Sequence, residues 1–158
     1  MIAAVAVLTL ALQADFTPNA LLPLRNAYTR CGGKNVSPAL RWTNAPASTR
    51  SFVLTVFDPD APGGGFWHWI AYDIPATTTA LPANAGAHPS ITSGTYAKND
   101  FGDARYDGPC PPSGTHHYVF TLYALDVPRV SIGGGSDVAP AMEGHVVAKA
   151  AITGRFGR

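Results

Sequence analysis

Two segments, well apart in the chain, carry the residue types able to do chemistry. One reads Asp58-Pro59-Asp60-Ala61-Pro62, with Trp67-His68-Trp69 just after it. The other ends in Pro112-Ser113-Gly114-Thr115-His116-His117-Tyr118. Each joins a proline-stiffened turn to a stretch bearing histidine. If those stretches are neighbouring strands, aspartates, imidazoles and a phenol converge on one small polar mouth. Imidazole and phenol donors, with the backbone N–H groups of glycine-rich turns, suit the oxygens of a phosphate or carboxylate. The aspartates would orient the imidazoles and keep them protonated, or accept from an ammonium group. Binding through His68 and His116 is then expected to weaken as pH rises and imidazolium loses its proton.

No nucleophile accompanies these groups. Hydrolases of the Ser-His-Asp kind often carry their serine on a Gly-x-Ser-x-Gly elbow, and none occurs here. Ser113 sits in a turn. Cys110 can be drawn with His116 and Asp58 as a thiol triad, but prolines flank it on both sides. Prolines 109, 111 and 112 supply no N–H for an oxyanion hole. Cys-x-x-Cys and Cys-x-x-His metal spacings are absent. The expectation is a binding protein rather than an enzyme, with no catalytic residue, no metal and no cofactor.

The elements that must position these groups are mostly strands. Ser51 to Phe57 is β-branched or aromatic on both faces, as in a strand covered on both sides. Asp58 then falls at its C-terminal end. Phe66 to Ile74 reads as the next strand. Simple alternation puts His68, Ile70 and Tyr72 on one face and Trp67, Trp69 and Ala71 on the other. His117 to Leu125 is a third strand, with His116, Tyr118, Phe120 and Leu122 on one face. The Ser51 and Phe66 strands are expected to be central, with Trp42, Phe52, Leu54 and Phe120 in the core. Pro75 to Pro89 and Asn99 to Ser113 read as long loops, which in a compact domain are usually functional. Val138 to Ala150 reads as a helix, capped by Ser136 or Asp137 and stopped near Gly154.

Composition bounds the rest. A chain of 158 residues suggests one domain. Only 13% of residues are charged and the net charge is +1, so no basic stripe for nucleic acid is present. Sixteen glycines and fourteen prolines imply many turns between short strands. Met1 to Leu12 is uncharged and apolar, too short for a membrane-spanning helix. With Ala11-Leu12-Gln13-Ala14 after it, the run reads as a signal peptide over residues 1–14, cleaved before Asp15. The competing reading is a buried N-terminal helix or strand. Export would place the protein in the periplasm or outside the cell; without cleavage it would be cytoplasmic. Cys31 and Cys110 stay open, as a bridge or as two free thiols.

The two signature segments resemble those of the phosphatidylethanolamine-binding proteins, which include the Raf kinase inhibitor proteins. Asn35-Val36-Ser37-Pro38, Trp67-His68-Trp69, Asn99-Asp100-Phe101-Gly102 and the closing Gly154-Arg155-Phe156 resemble the bacterial YbhB/YbcL-like branch. The likeness runs from about Asp15 to Arg158. It implies an all-β fold: an antiparallel β-sandwich with Greek-key elements, one large central sheet and a few peripheral helices. It also implies a small anion pocket for phosphate-like or phospho-head-group ligands. Carried over residue by residue, its ligand-binding set is Asp58, Asp60, His68, His116 and Tyr118, with Pro62, Gly108, Pro109 and Cys110 as walls. The chain departs from the eukaryotic pattern at Phe66, Trp67 and Cys110, so eukaryotic ligand preferences need not transfer. The resemblance implies a homodimer. A second reading is a protein-interaction module that inhibits a protease or kinase through the pocket rim.

Overall fold

The computed structural model describes residues 7–87 and 94–158. Its strands form two antiparallel sheets. β1 (Ala11–Ala14), β2 (Leu40–Thr43) and β5 (Ala80–Leu81) make a small sheet in the order β1-β2-β5. β3 (Ser51–Asp58), β4 (Phe66–Pro75), β6 (Thr95–Tyr96), β7 (Thr115–Leu125) and β8 (Val146–Gly157) make the larger one, in the order β6-β4-β3-β7-β8. The all-β expectation therefore holds, and β3 lies in the middle of the larger sheet.

β3 is apolar on both faces because both faces are covered. Phe52, Leu54 and Val56 join Trp42, Trp69, Tyr118 and Phe120 in the main core between the sheets. Val53 faces a second core with Ile70, Leu125, Val138 and Met142. The four residues expected in the core are all buried.

The pairing of β3 with β4 slips once near the end that matters. Val56 lies opposite Trp69, but Phe57 lies opposite Trp67, so His68 is an extra residue in a bulge. A bulge re-aims side chains that simple alternation would place elsewhere. Ile70 and Tyr72 pack with the second core, whereas the His68 ring meets the Tyr118 ring at 5.2 Å. The grouping of His68 with Ile70 and Tyr72 is thus corrected. Had the strand alternated regularly, His68 would face away from Tyr118.

The expected helix is also corrected. α1 covers only Val138–Met142. Gly144, in the left-handed region at φ 78°, reverses the chain, and Val146 onward pairs with β7 along nearly its whole length. Val146, Val147, Ile152 and Thr153 are β-branched, and an available strand edge outweighs the weak helical preference of the alanines between them. Asp137 does precede the helix, but its carboxylate accepts the Gly133 N–H rather than capping.

Residues 1–6 of the expected leader lie outside the described residues. Ala11–Ala14, at its end, are strand β1, paired with β2 from Ala11 opposite Thr43 to Ala14 opposite Leu40. Leu10 and Leu12 are buried in the main core. The expected cleavage point falls directly after β1, so a chain starting at Asp15 lacks that strand. Among the described residues no helix is long and apolar enough to cross a membrane.

One connection shapes the functional end of the molecule. β6 is an edge strand beside β4, whereas β7 lies on the other side of β3. The chain from 97 to 114 must cross between them, and part of it walls a cavity at the Asp58 end of β3.

Candidate ligand-binding site

Asp58 is the last residue of β3, and its side chain folds back on the turn that follows. Oδ1 accepts the backbone N–H groups of Asp60 at 2.9 Å and Ala61 at 3.1 Å. This is the turn chemistry expected of an Asp-Pro-Asp sequence. Oδ2 remains for β7: His116 Nδ1 lies 2.7 Å from it, and both side chains are buried. Antiparallel pairing of Phe57 with Val119 is what brings this end of β3 against Tyr118 and His116. The condition posed by the sequence, that the two histidine-bearing strands be neighbours, is not met: β3 lies between β4 and β7, and the groups converge because the Asp58 end of β3 is flanked by both.

His68 enters from the bulge in β4. Its Nδ1 lies 2.6 Å from the backbone carbonyl of Asp107. A carbonyl only accepts, so Nδ1 carries the proton and donates it. Burial holds the imidazole below its ordinary value of 6.5; the charges of Asp58, Asp107 and Asp100 pull it back up but do not prevail. His68 is therefore neutral near pH 7, with Nε2 a lone pair. The hydrogen bond to the Asp107 carbonyl and the nearby carboxylates offset its desolvation only in part.

Tyr118 completes the floor. It is 1% exposed, and its hydroxyl has no hydrogen-bond partner among the described residues. Burial, and after it the negative charge of Asp58 and a close approach of that carboxylate to the hydroxyl, push the phenol far above its ordinary range, so it stays protonated.

These groups line a cavity of about 190 Å³. Pro62, Phe66 and Phe101 form apolar walls, and Cys110, Pro111 and Pro112 close another side. Phe101 meets Phe66 edge-on at 4.8 Å and stacks on Tyr28 at 4.9 Å. Neither lysine nor arginine lines the cavity. A wider hollow of about 530 Å³ lies on the small sheet near Gln13 and Arg41, but Arg41 Nε already donates to Gln13 Oε1. Polar groups do not converge there as they do at Asp58.

Three of the sequence candidates stand outside the lining. Asp60 is exposed; its Oδ2 accepts both the backbone N–H and the Nδ1–H of His117, each at 2.7 Å. Those bonds, the backbone one first, hold its carboxyl below the usual range. Asp60 straps the β3–β4 turn to β7. Gly108 and Pro109 brace the wall from behind. Gly108 N donates to Asn35 Oδ1 at 2.7 Å, and a Cβ there would run into the Asn26 carbonyl. Pro109 O accepts the Tyr28 N–H at 3.0 Å. The structure joins Cys110 to Cys31 in a disulfide, which closes the question the sequence left open.

The residues missed at the outset are those that hold this wall. The Asp107 carboxylate is fully buried and accepts from Asn35 Nδ2, Asn99 Nδ2 and Arg105 Nε, all within 2.9 Å. Through them the carbonyl that fixes His68 is itself fixed. Asn35 takes a positive φ of 55°, which asparagine tolerates better than most residues. The sequence signalled a turn at Asn35 and another at Asn99, but nothing in it showed that both reach Asp107. Phe66 and Phe101, the apolar walls, were likewise not singled out as lining.

Residues 13–157 match the sequence model of the family described as phosphatidylethanolamine-binding protein. The chain is 42% identical to the UPF0098 protein YbhB of Escherichia coli (strain K12) over 146 residues, covering 85% of this chain and 91% of that one. It is 43% identical over 148 residues to a UPF0098 protein of Methanothermobacter thermautotrophicus, covering 90% and 95%. The crystal structure of Escherichia coli YbcL, described as a new member of the mammalian PEBP family, superimposes with a TM-score of 0.89 at 34% identity. That match covers 96% of this chain and 99% of YbcL.

Proposed function

The chain belongs to the phosphatidylethanolamine-binding protein family, and we propose that it is a non-enzymatic binding protein whose cavity at Asp58, His68, His116 and Tyr118 takes a phosphate-like group. The observation that carries this reading is the Tyr118 hydroxyl. It is buried, belongs to a ring 5.2 Å from that of His68 in the same cavity lining, and among the described residues meets no partner in good hydrogen-bond geometry, although the Asp58 carboxylate lies near enough to act on it. A bound oxyanion would accept from it. Nothing in the lining resembles an activated nucleophile: the one sulfur there is tied to Cys31, and prolines take the places of backbone donors.

Tyr118→Phe tests the reading because the two roles of the hydroxyl predict opposite results. If it is a ligand donor, the variant folds as stably as the parent or more so, while affinity for methyl phosphate falls about tenfold, as for a hydrogen bond to a charged group. His116→Ala should also lose binding. Calorimetry showing unchanged affinity in Tyr118→Phe would move the site elsewhere. We also propose export to the periplasm or beyond, a reading supported by the Cys31–Cys110 disulfide, since disulfides persist in oxidising compartments and are rare in a reducing cytosol.

A further inference from the structure

We propose that the mouth of the cavity reads the group attached to the phosphate and favours an aromatic one: an aryl phosphate whose ring joins those of Phe101, Phe66 and Tyr28. The inference rests on the phosphate reading above and names the ester class that the same site prefers. It follows from where Phe101 stands and how it is held.

Phe101 is 41% exposed, and it is the one aromatic among the large hydrophobic side chains exposed in the described residues. Leaving such a ring in water forgoes the stabilisation that burial would give it. A loose loop would let the ring fold away, but this turn is pinned. Asn99 Oδ1 accepts the N–H groups of Phe101 and Asp103, each at 3.0 Å. The Asn99 carbonyl accepts the Gly102 N–H at 2.9 Å, and Gly102 takes a φ of 93°, which glycine adopts readily. Asn99 is itself anchored, its Nδ2 donating to the Asp107 carboxylate at 2.8 Å and to the Arg105 carbonyl at 3.0 Å. On the other side, Asp100 is tied to β4 twice: its Oδ2 accepts the Trp67 N–H and its own N–H donates to the Trp67 carbonyl. An aromatic ring held out on a fixed turn is a preorganised contact for a ligand.

Its position says which part of the ligand it meets. Phe101 lines the cavity with Phe66, Pro62, Pro111 and Pro112. The volume of about 190 Å³ equals roughly six waters at about 30 Å³ each, room for a phosphate group and little more. The rest of an ester therefore leaves across the mouth, against these rings. Tyr28 lies nearly parallel to Phe101, at 16°, whereas Phe66 and His68 meet it steeply, at 72° and 68°. A further ring extends such a cluster stacked or edge-on, and aromatic pairs gain more than their buried area alone. A cationic substituent has less to meet. Asp58 is the one acid in the lining, and both its oxygens are already engaged.

Calorimetry with four esters tests this: methyl, cyclohexyl, phenyl and 2-aminoethyl phosphate. Working at about pH 7.5 keeps every phosphate above its second ionisation, near pH 6 for monoesters. Phenyl phosphate should bind about tenfold more tightly than methyl phosphate. It should also bind at least about threefold more tightly than cyclohexyl phosphate, whose ring is of similar size but has no π-face. Phe101→Leu should bring phenyl and cyclohexyl phosphate to parity, and Phe101→Trp should keep them apart. The quantity read is a ratio between two ligands, so a general loss of affinity in a variant does not imitate the result. Equal affinity for the two rings in the parent, or a gap unchanged in Phe101→Leu, would overturn the aryl preference and leave the phosphate reading standing. The same follows if Phe101→Leu weakens 2-aminoethyl phosphate as much as phenyl phosphate. Failure of all four esters to bind would sink both.

Discussion

At the scale of single residues, two histidines of similar sequence context play different parts. His116 Nδ1 faces a carboxylate and His68 Nδ1 faces a carbonyl. His68 also carries a measurable cost. Its folded-state value is depressed below 6.5 by burial, so the unfolded chain takes up a proton there before the folded one does. Stability from this group is fully present above about pH 6.5 and is lost as pH falls from there through the folded value. Urea melts between pH 7.5 and pH 5, values set about the imidazole range, should show stability declining toward acid. The decline should be shallower in His68→Gln. An identical slope in the variant would show that His68 titrates alike folded and unfolded.

At the scale of elements, the site is an assembly of strand ends. β3 ends at Asp58, β4 bulges at His68, β7 begins near His116, and the crossing chain lays Phe101 and Cys110 over them. The small sheet supports this from below: Leu12 on β1 and Trp42 on β2 pack into the same core as Tyr118. A chain beginning at Asp15 loses β1 and the burial of Leu10 and Leu12. The transfer value of two leucines puts that loss at about 3 kcal/mol or more. Comparing urea midpoints of the 1–158 and 15–158 chains checks it; equal midpoints would show that β1 adds nothing to the fold. N-terminal sequencing of protein from its own host then tells which of the two forms the cell keeps.

At the scale of the whole molecule, the disulfide is the one covalent tie among the described residues. It joins positions 79 apart, from the turn at Thr29–Cys31 to the cavity wall. Closing so long a loop restricts the unfolded chain and is worth about 4 kcal/mol in the loop-entropy account. The Cys31→Ser, Cys110→Ser double variant should lose about 2–4 kcal/mol and bind methyl phosphate more weakly, since Cys110 is part of the wall. A variant as stable as the parent would mean that the hydrogen bonds at Gly108 and Pro109 already hold this segment.

Much of this architecture was legible without coordinates. β3 and β7 stand out because hydrophobic patterning is a local property, and a strand apolar on both faces has to be covered on both. Asp58, His68, His116 and Tyr118 stood out because polar groups at strand ends beside rigid turns are rarely there for packing. Three things needed the folded chain. The bulge at His68 exists only in the register between β3 and β4, so alternation along one strand could not reveal it. The stretch after Met142 became a strand because β7 offered it an edge, a preference that no local propensity carries. The part each polar group plays came last. Which His68 nitrogen is spoken for depends on the atom that meets its Nδ1, and Asp107, held by Asn35 and Asn99, supplies that atom from three separate places in the sequence.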